Sequence, residues 1–195
     1  AAKELKYHFE KACGVKLPIL TESRAASTIT SGFKLGRVGG APDTTGTAPG
    51  TFELRFRYEF LYISGHDGAG AEKSARTPAG TLFGVYHYLR HGLGVRWLWP
   101  GASGEFIPHT ARVELDAKLD GVYPPAFRFA QATALQQDAD SFRWGRRVMH
   151  MDASQYMVHA GTPGHAFGNW SERYGSKHPE WFAMNKDGQR NIRPH

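Results

Sequence analysis

The stretch from Thr77 to Gly92 constrains the fold more than any other. Leu82, Val85, Tyr86 and Leu89 recur at helical spacing and form a buried stripe. Thr77 can cap the helix, and Pro78 suits its first position. Arg90 and His91 suit the negative end of the helix dipole, and Gly92 ends it. A helix with so wide an apolar face needs a sheet or other helices to cover it. The sequence just before it supplies the sheet. Phe52, Leu54, Phe56 and Tyr58 alternate with Glu53, Arg55, Arg57 and Glu59, a period of two that predicts a half-buried strand. Phe60 to Ile63 follows as a second apolar run, joined by a tight hairpin or continued through a bulge.

The flanks add shorter elements. Ala2, Leu5, Phe9 and Ala12 or Cys13 share one face of an amphipathic helix that Gly14 should stop. Leu17 to Leu20 reads as a short strand, and Ile29, Phe33, Leu35 and Val38 supply another. Gly39 to Gly50 is a loop rich in glycine, proline and threonine. Val95 to Trp99 predicts an aromatic strand, and Ala111 to Leu115 an edge strand. Pro124-Pro125 marks a boundary, beyond which Phe127, Phe129 and Ala130 start a new strand. Residues 138–150 are basic, aromatic and partly helical, and Val158 to Trp170 reads as a loop. His178 to Met184 is a short helix or strand, and Asp187-Gly188 suits a hairpin turn.

Composition narrows the class. Apolar residues at 41% and charged residues at 22% belong to a globular chain rather than a disordered one. No apolar run is long enough for a membrane-spanning helix. A single cysteine, Cys13, rules out an intrachain disulfide and a cysteine-rich zinc site. The net charge of +6 is compatible with a nucleic acid or an anionic polysaccharide, but the basic residues are scattered. Their densest cluster, Arg143, Arg146 and Arg147, reads as a solvated face. The chain opens inside a helical pattern and ends without a closing element, and so reads as a fragment of a longer protein or a mature protein cut at both ends.

Three ordered motifs carry a resemblance. The run Gly80-Thr81-Leu82-Phe83-Gly84-Val85-Tyr86-His87-Tyr88-Leu89 precedes Leu93-Gly94-Val95-Arg96-Trp97-Leu98-Trp99-Pro100-Gly101 and Gly104-Glu105-Phe106-Ile107-Pro108. Together they resemble the small α/β domain ahead of the catalytic barrel in family 20 hexosaminidases and α-glucuronidases. The tail, with Gly164-His165-Ala166-Phe167, His178-Pro179-Glu180-Trp181-Phe182-Ala183-Met184 and Asp187-Gly188-Gln189-Arg190, is similar to domain-of-unknown-function family 4838. That family is related to glycoside hydrolase family 163, endo-β-N-acetylglucosaminidases acting on N-glycans.

The resemblance implies an α/β chain in two parts. Residues 1–118 would be a small α+β auxiliary domain, a mixed sheet with two main helices. Residues 119–195 would begin an incomplete (β/α)8 barrel, with Phe127 to Ala132 its first strand and Met157 to Ala160 its second. Barrel sites lie at the C-terminal ends of the strands. The whole protein would hydrolyse a GlcNAc-containing glycan or related polysaccharide, and would be periplasmic or secreted. Its catalytic carboxylates would come from later strands, so this chain alone would be inactive. The candidate substrate contacts are His165, Trp170, Arg128 and Trp144. Indole rings suit the C–H faces of pyranoses, and an arginine on an inward strand needs a polar partner.

Other chemistries have weaker marks. His159 and His165 flank Gly161–Gly164 without a clear third ligand, so no metal site is assigned, and no organic cofactor. Glu180 after Pro179 reads as a first-turn residue, and Asp138 and Asp140 as caps. Trp97 and Trp99 read as core residues. There is no phosphate loop and no Gly-x-Ser-x-Gly elbow. A non-catalytic carbohydrate-binding or scaffolding module is the second reading, and a basic nucleic-acid-binding protein the third.

Overall fold

The computed structural model describes residues 1–25, 29–71, 73–74, 76–113, 117–127, 138–151 and 169–192. The chain divides into two compact units, Ala1–Tyr156 and Met157–His195. The first holds helices α1 (Ala2–Cys13), α2 (Glu22–Ala25), α3 (Gly80–Gly92) and α4 (Ala139–Arg147). Its strands are β1 (Gly32–Leu35), β2 (Phe52–Arg57), β3 (Phe60–Gly65), β4 (Arg96–Trp97), β5 (Glu105–Phe106) and β6 (Gly121–Tyr123). The second unit contains α5 (Trp170–Tyr174).

The main sheet has the order β1-β3-β2-β6 and is mixed. β1 runs parallel to β3, while β2 is antiparallel to both β3 and β6. A two-residue hairpin joins β2 to β3, with Tyr58 and Glu59 both at positive φ, 49° and 64°. This is the turn geometry that matches the twist of paired strands. The alternation read from residues 52–59 is present in β2, where Phe52 and Leu54 are buried and Glu53 and Arg55 are not. β3 is buried almost throughout because both of its faces are covered. Ile63 faces α3, while the Tyr62 ring lies against Gly40 and Ser64 donates to the Pro42 carbonyl at 3.1 Å, both from the loop before β2. Burying Leu54 and Ile63 contributes about 2–3 kcal/mol each from apolar area.

The contact between β3 and α3 is backbone on backbone. A Cβ on Gly65 would meet the Gly80 carbonyl carbon at 2.1 Å, and one on Gly80 would meet the Thr51 carbonyl oxygen at 2.3 Å. Only glycine fits at either place. The helix therefore starts at Gly80, three residues later than Thr77 and Pro78 suggest. Its first amides are satisfied from outside the helix. Asp67 accepts from the Thr81 N–H at 2.9 Å and from the Thr81 hydroxyl at 2.5 Å.

α1 packs across α3. Leu5, His8, Phe9 and Ala12 form its buried face, and Phe9 stacks on Tyr88 with ring centroids 6.4 Å apart. Gly14 ends the helix in the left-handed region at φ 73°, as its position predicts. Cys13 is partly buried, and its thiol donates to the Phe9 carbonyl. α4 is capped by Asp138, which accepts from the amides of Asp140 and Ser141. Gly121–Tyr123, Ala139–Arg147 and the core residue Met151 all belong to the first unit, past the boundary expected at 118.

Several expectations are corrected. Leu17–Leu20 forms no strand, and Ile19 and Leu20 are exposed, because no neighbouring strand pairs with them. The aromatic strand shortens to Arg96–Trp97, since Gly101 at φ 88° turns the chain back to pair β5 with β4. Residues 111–113 are not a strand. Arg146 and Arg147 are not a solvated face. Arg146 is buried, and its guanidinium donates to the carbonyls of Ala71, Ser74 and Thr77, tying the loop before α3 onto α4. The two expected barrel strands lie almost wholly outside the described residues. Of the two expected barrel strands, only Phe127 is described, and it is exposed.

Gly65→Ala should cost about 3 kcal/mol, because the added methyl meets backbone that cannot yield. Gly46→Ala, which has open space around it, should stay within about 0.5 kcal/mol of the parent. Urea unfolding of both variants checks this, and equal midpoints would refute the close approach.

Candidate functional site

A cleft of about 330 Å³ opens in the first unit, lined by Glu4, Tyr7, Trp99, Gly101, Ala102, Glu105, Asp140, Arg143, Trp144 and Arg147. Helical spacing explains its walls. Asp140, Arg143, Trp144 and Arg147 stand at i, i+3, i+4 and i+7 on α4, so one face of that helix forms a wall. Glu4 and Tyr7 stand at i and i+3 on α1. The turn between β4 and β5 brings Trp99 and Glu105 between them.

Arg147 lies at the base and is 11% exposed. Its Nε and Nη2 donate to Glu4 Oε2 at 3.2 and 3.1 Å. Its Nη1 makes an ion contact with Glu105 Oε1 at 2.8 Å, off-axis for a hydrogen bond. The guanidinium also lies 5.8 Å from the Trp97 ring centroid, within cation–π range. Arg143 faces Asp140 at 3.8 Å, and both are exposed. Each carboxylate lining the cleft thus has a guanidinium within 4 Å.

Two phenols adjoin this network. Tyr7 donates to Glu105 Oε2 at 2.6 Å. That hydrogen bond, helped by desolvation, pushes its pKa up to about 12, so it acts as a donor rather than a base at neutral pH. Tyr86 lies deeper, and burial raises its pKa well above the usual phenol value.

His8 sits below Glu105 and is fully buried. Its Nδ1 faces the Glu4 carbonyl at 2.8 Å, and Trp97 Nε1–H donates to its Nε2 at 3.3 Å. One nitrogen donates and the other accepts, which defines the neutral Nδ1–H tautomer. Burial lowers its pKa below the ordinary 6.5, against the pull of the Glu4 carbonyl and carboxylate.

The rim is aromatic. Trp99 is 51% exposed, and its Nε1–H donates to Ser103 Oγ at 3.2 Å. Trp144 is partly buried against the core, and its indole N–H donates to the Trp97 carbonyl at 3.1 Å. Trp97 is core, as its sequence suggests, whereas Trp99 is not.

The second unit carries an aromatic cluster of its own. Trp170, Tyr174 and Trp181 lie within 6.0 Å of one another by ring centroid. His178 stacks on Trp181 at 4.1 Å and 6°, and its Nδ1 lies 3.1 Å from Glu180 Oε1. Glu180 sits in the first turn of the short 3-10 helix Pro179–Trp181, and its own backbone N–H and His178 lower its pKa. Gly188 turns at φ 81° between Met184 and Arg190, which form the bridge that Asp187-Gly188 suggests.

Of the four residues singled out from the sequence, Trp144 lines the cleft and Trp170 joins the second unit's cluster. Arg128 and His165 lie outside the described residues, as does His159. Sequence reasoning missed Glu4, Tyr7, Glu105 and Arg147. The α4 spacing and Glu4-x-x-Tyr7 were visible, but their meeting depends on contacts more than ninety residues apart. Among the described residues no group of three or more His, Cys, Asp or Glu gathers for a metal. No helix among them is long and apolar enough to cross a membrane. Comparison of the chain with family models, curated proteins and solved structures finds no match.

The neutral His8 has a pH consequence. A folded-state pKa below the unfolded value means that the unfolded chain binds more protons as the pH falls. The stabilisation is complete above pH ~6.5 and is lost progressively below it, toward the depressed folded value. His8→Gln keeps a donor and an acceptor but does not titrate. Between pH 7 and pH 5.5 the parent should lose more stability than His8→Gln. Chemical unfolding at both pH values measures this, and parallel losses would refute it.

Proposed function

We propose that this chain is the glycan-binding N-terminal part of a glycoside hydrolase that acts on a GlcNAc-containing glycan or related polysaccharide. In this reading the first unit corresponds to the auxiliary α/β domain. The residues that follow begin a (β/α)8 barrel, and the whole protein is exported to the periplasm or beyond. The resemblance of the motifs at Gly80–Gly101 and Gly104–Pro108 supports the family, and the mixed sheet with its two main helices is consistent with it.

The observation that carries the reading is the α1–α4 cleft. An exposed indole, Trp99, stands beside Asp140 and Arg143, planar polar groups suited to sugar hydroxyls. Each cleft carboxylate has a guanidinium beside it: Glu4 and Glu105 share Arg147, and Asp140 faces Arg143, which leaves one negative charge in excess. An anionic ligand would have to displace a carboxylate from one of these guanidiniums. A neutral pyranose would not, and its C–H face gains from an aromatic platform.

The same pairing argues against hydrolysis by this chain. Glycosidic cleavage needs a carboxyl group free to give a proton, usually alongside a second carboxylate. The cleft carboxylates are engaged with guanidinium groups, and Glu180 is shifted further toward its ionised form. In this reading the cleft, as far as the described residues form it, binds glycan without cutting it. Binding to nucleic acid is disfavoured because Arg146 and Arg147 turn inward, away from any phosphate.

Titration with GlcNAc oligosaccharides, followed by Trp fluorescence and calorimetry, tests this. Binding should be saturable, weaken about tenfold in Trp99→Ala, and change little with salt. No glycan should be cleaved. Absence of binding, or binding untouched by Trp99→Ala, would overturn the assignment of this cleft. Tight, steeply salt-dependent binding to nucleic acid would favour the third reading.

A further inference from the structure

The last two turns of α3 carry His87 and His91 at i and i+4. Their ring centroids are 4.4 Å apart, with the ring planes at 36°. His87 is half-buried and held in place by two neighbours. Its ring lies 4.2 Å from Tyr123 and 5.3 Å from Phe52, both on strands of the main sheet. His91 is exposed.

These two histidines differ from the others with defined partners in the first unit. His8, His66 and His109 each place Nδ1 within 2.9 Å of a backbone carbonyl. Neither His87 nor His91 has a hydrogen-bond or ion-pair partner among the described residues. Their nitrogen lone pairs are uncommitted.

We propose that His87 and His91 form a two-imidazole chelate for a divalent first-row transition metal, copper(II) most tightly. Histidines at i and i+4 present their nitrogens on one face of a helix, the spacing by which helices hold a metal through two imidazoles. Imidazole ligands suit copper, nickel and zinc, and copper leads that series in affinity. The site lies at the C-terminal end of α3, where the helix dipole favours a cation. Arg90 and Arg96 lie near His91 and reduce this attraction, so the site is moderate rather than tight. No third His, Cys, Asp or Glu joins it among the described residues. The remaining coordination positions fall to water, which makes the site open and exchangeable. It shares no residue with the cleft, so its fate is separate from that of the glycan reading.

The test is a copper(II) titration of the whole chain at neutral pH, followed by calorimetry and electron paramagnetic resonance. The parent should show a copper centre with two nitrogen ligands. His91→Ala removes an exposed ligand without touching the core and should weaken that binding by about tenfold or more. His87→Gln should do the same, with its urea midpoint recorded to confirm folding. Copper should raise the melting temperature of the parent but not of His91→Ala. Copper affinity unchanged in His91→Ala, or no two-nitrogen centre in the parent, would overturn the proposal. Either result would assign any bound copper to the chain's other histidines.

Discussion

The backbone contact between Gly65 and Gly80 sets the position of nearly everything else in the first unit. With no Cβ on either residue, the end of β3 lies flush against the start of α3. Ile63 can then press against Gly84, while Phe83, Val85 and Leu89 fill the core. Asp67, two residues beyond Gly65, is placed where it accepts from the Thr81 amide in the first turn of the helix. Once α3 is fixed on the sheet, α1 finds Tyr88 for Phe9 to stack on. The orientation of α1 in turn decides which residues its other edge presents, namely Glu4 and Tyr7. The loop between β3 and α3 meets the Arg146 guanidinium, so α4 is anchored by the same segment.

Arg147 gives this arrangement its polar centre. It joins α1 to β5 and α4 through Glu4 and Glu105. Such pairs are poor sources of net stability. Taking a guanidinium and two carboxylates out of water costs several kcal/mol per ion, and their attraction roughly offsets that cost. What the triad provides is geometry. A carboxylate displaced from Arg147 would be left partly buried without compensation, so the three elements are held in one relation. Below the triad, the neutral His8 avoids adding a further charge to the interior. The result is a polar floor in which both carboxylates have a guanidinium beside them, beneath a rim where Trp99 remains open.

Elements governed by local pattern were legible in the sequence, and those governed by distant partners were not. The β2 alternation, the stripe on α3 and the Gly14 stop are properties of neighbouring residues, and all three are present. The start of α3 was misplaced because Thr77 and Pro78 are good local signals that lost to a tertiary constraint. The N-cap, Ala79, makes no side-chain cap, and Asp67 reaches the helix across a loop instead. Leu17–Leu20 has the apolar character of a strand, but a strand needs a partner, which composition cannot supply. The Arg143-Xaa-Xaa-Arg146-Arg147 cluster looked solvent-facing because charge usually is. Three backbone carbonyls and two carboxylates, contributed from far along the chain, make burial tolerable. Trp97 and Trp99 are two residues apart, so a continuous strand would put both indoles on one face, yet the strand ends at Trp97. The sequence does not say where such a segment turns, and the reversal at Gly101 leaves the second indole at the rim.

The basic composition of the chain illustrates why a charge count is a weak guide to partners. A net charge of +6 invites an anionic ligand, and the strongest local source of that charge is the α4 run. Yet Arg146 spends its charge on carbonyl dipoles, and Arg147 spends its charge on Glu4 and Glu105. The field that a phosphate would meet over this face is set by Arg143, which has Asp140 beside it. A polyanion gains attraction only from charge that is neither buried nor already paired. A polyhydroxylated neutral ring has the opposite requirement. It needs donors and acceptors held in fixed positions and an apolar surface to lie on, both of which survive when the guanidiniums are already paired. The pairing that removes the electrostatic reason to bind nucleic acid is therefore the same pairing that holds Asp140, Arg143 and Tyr7 in place around the exposed face of Trp99.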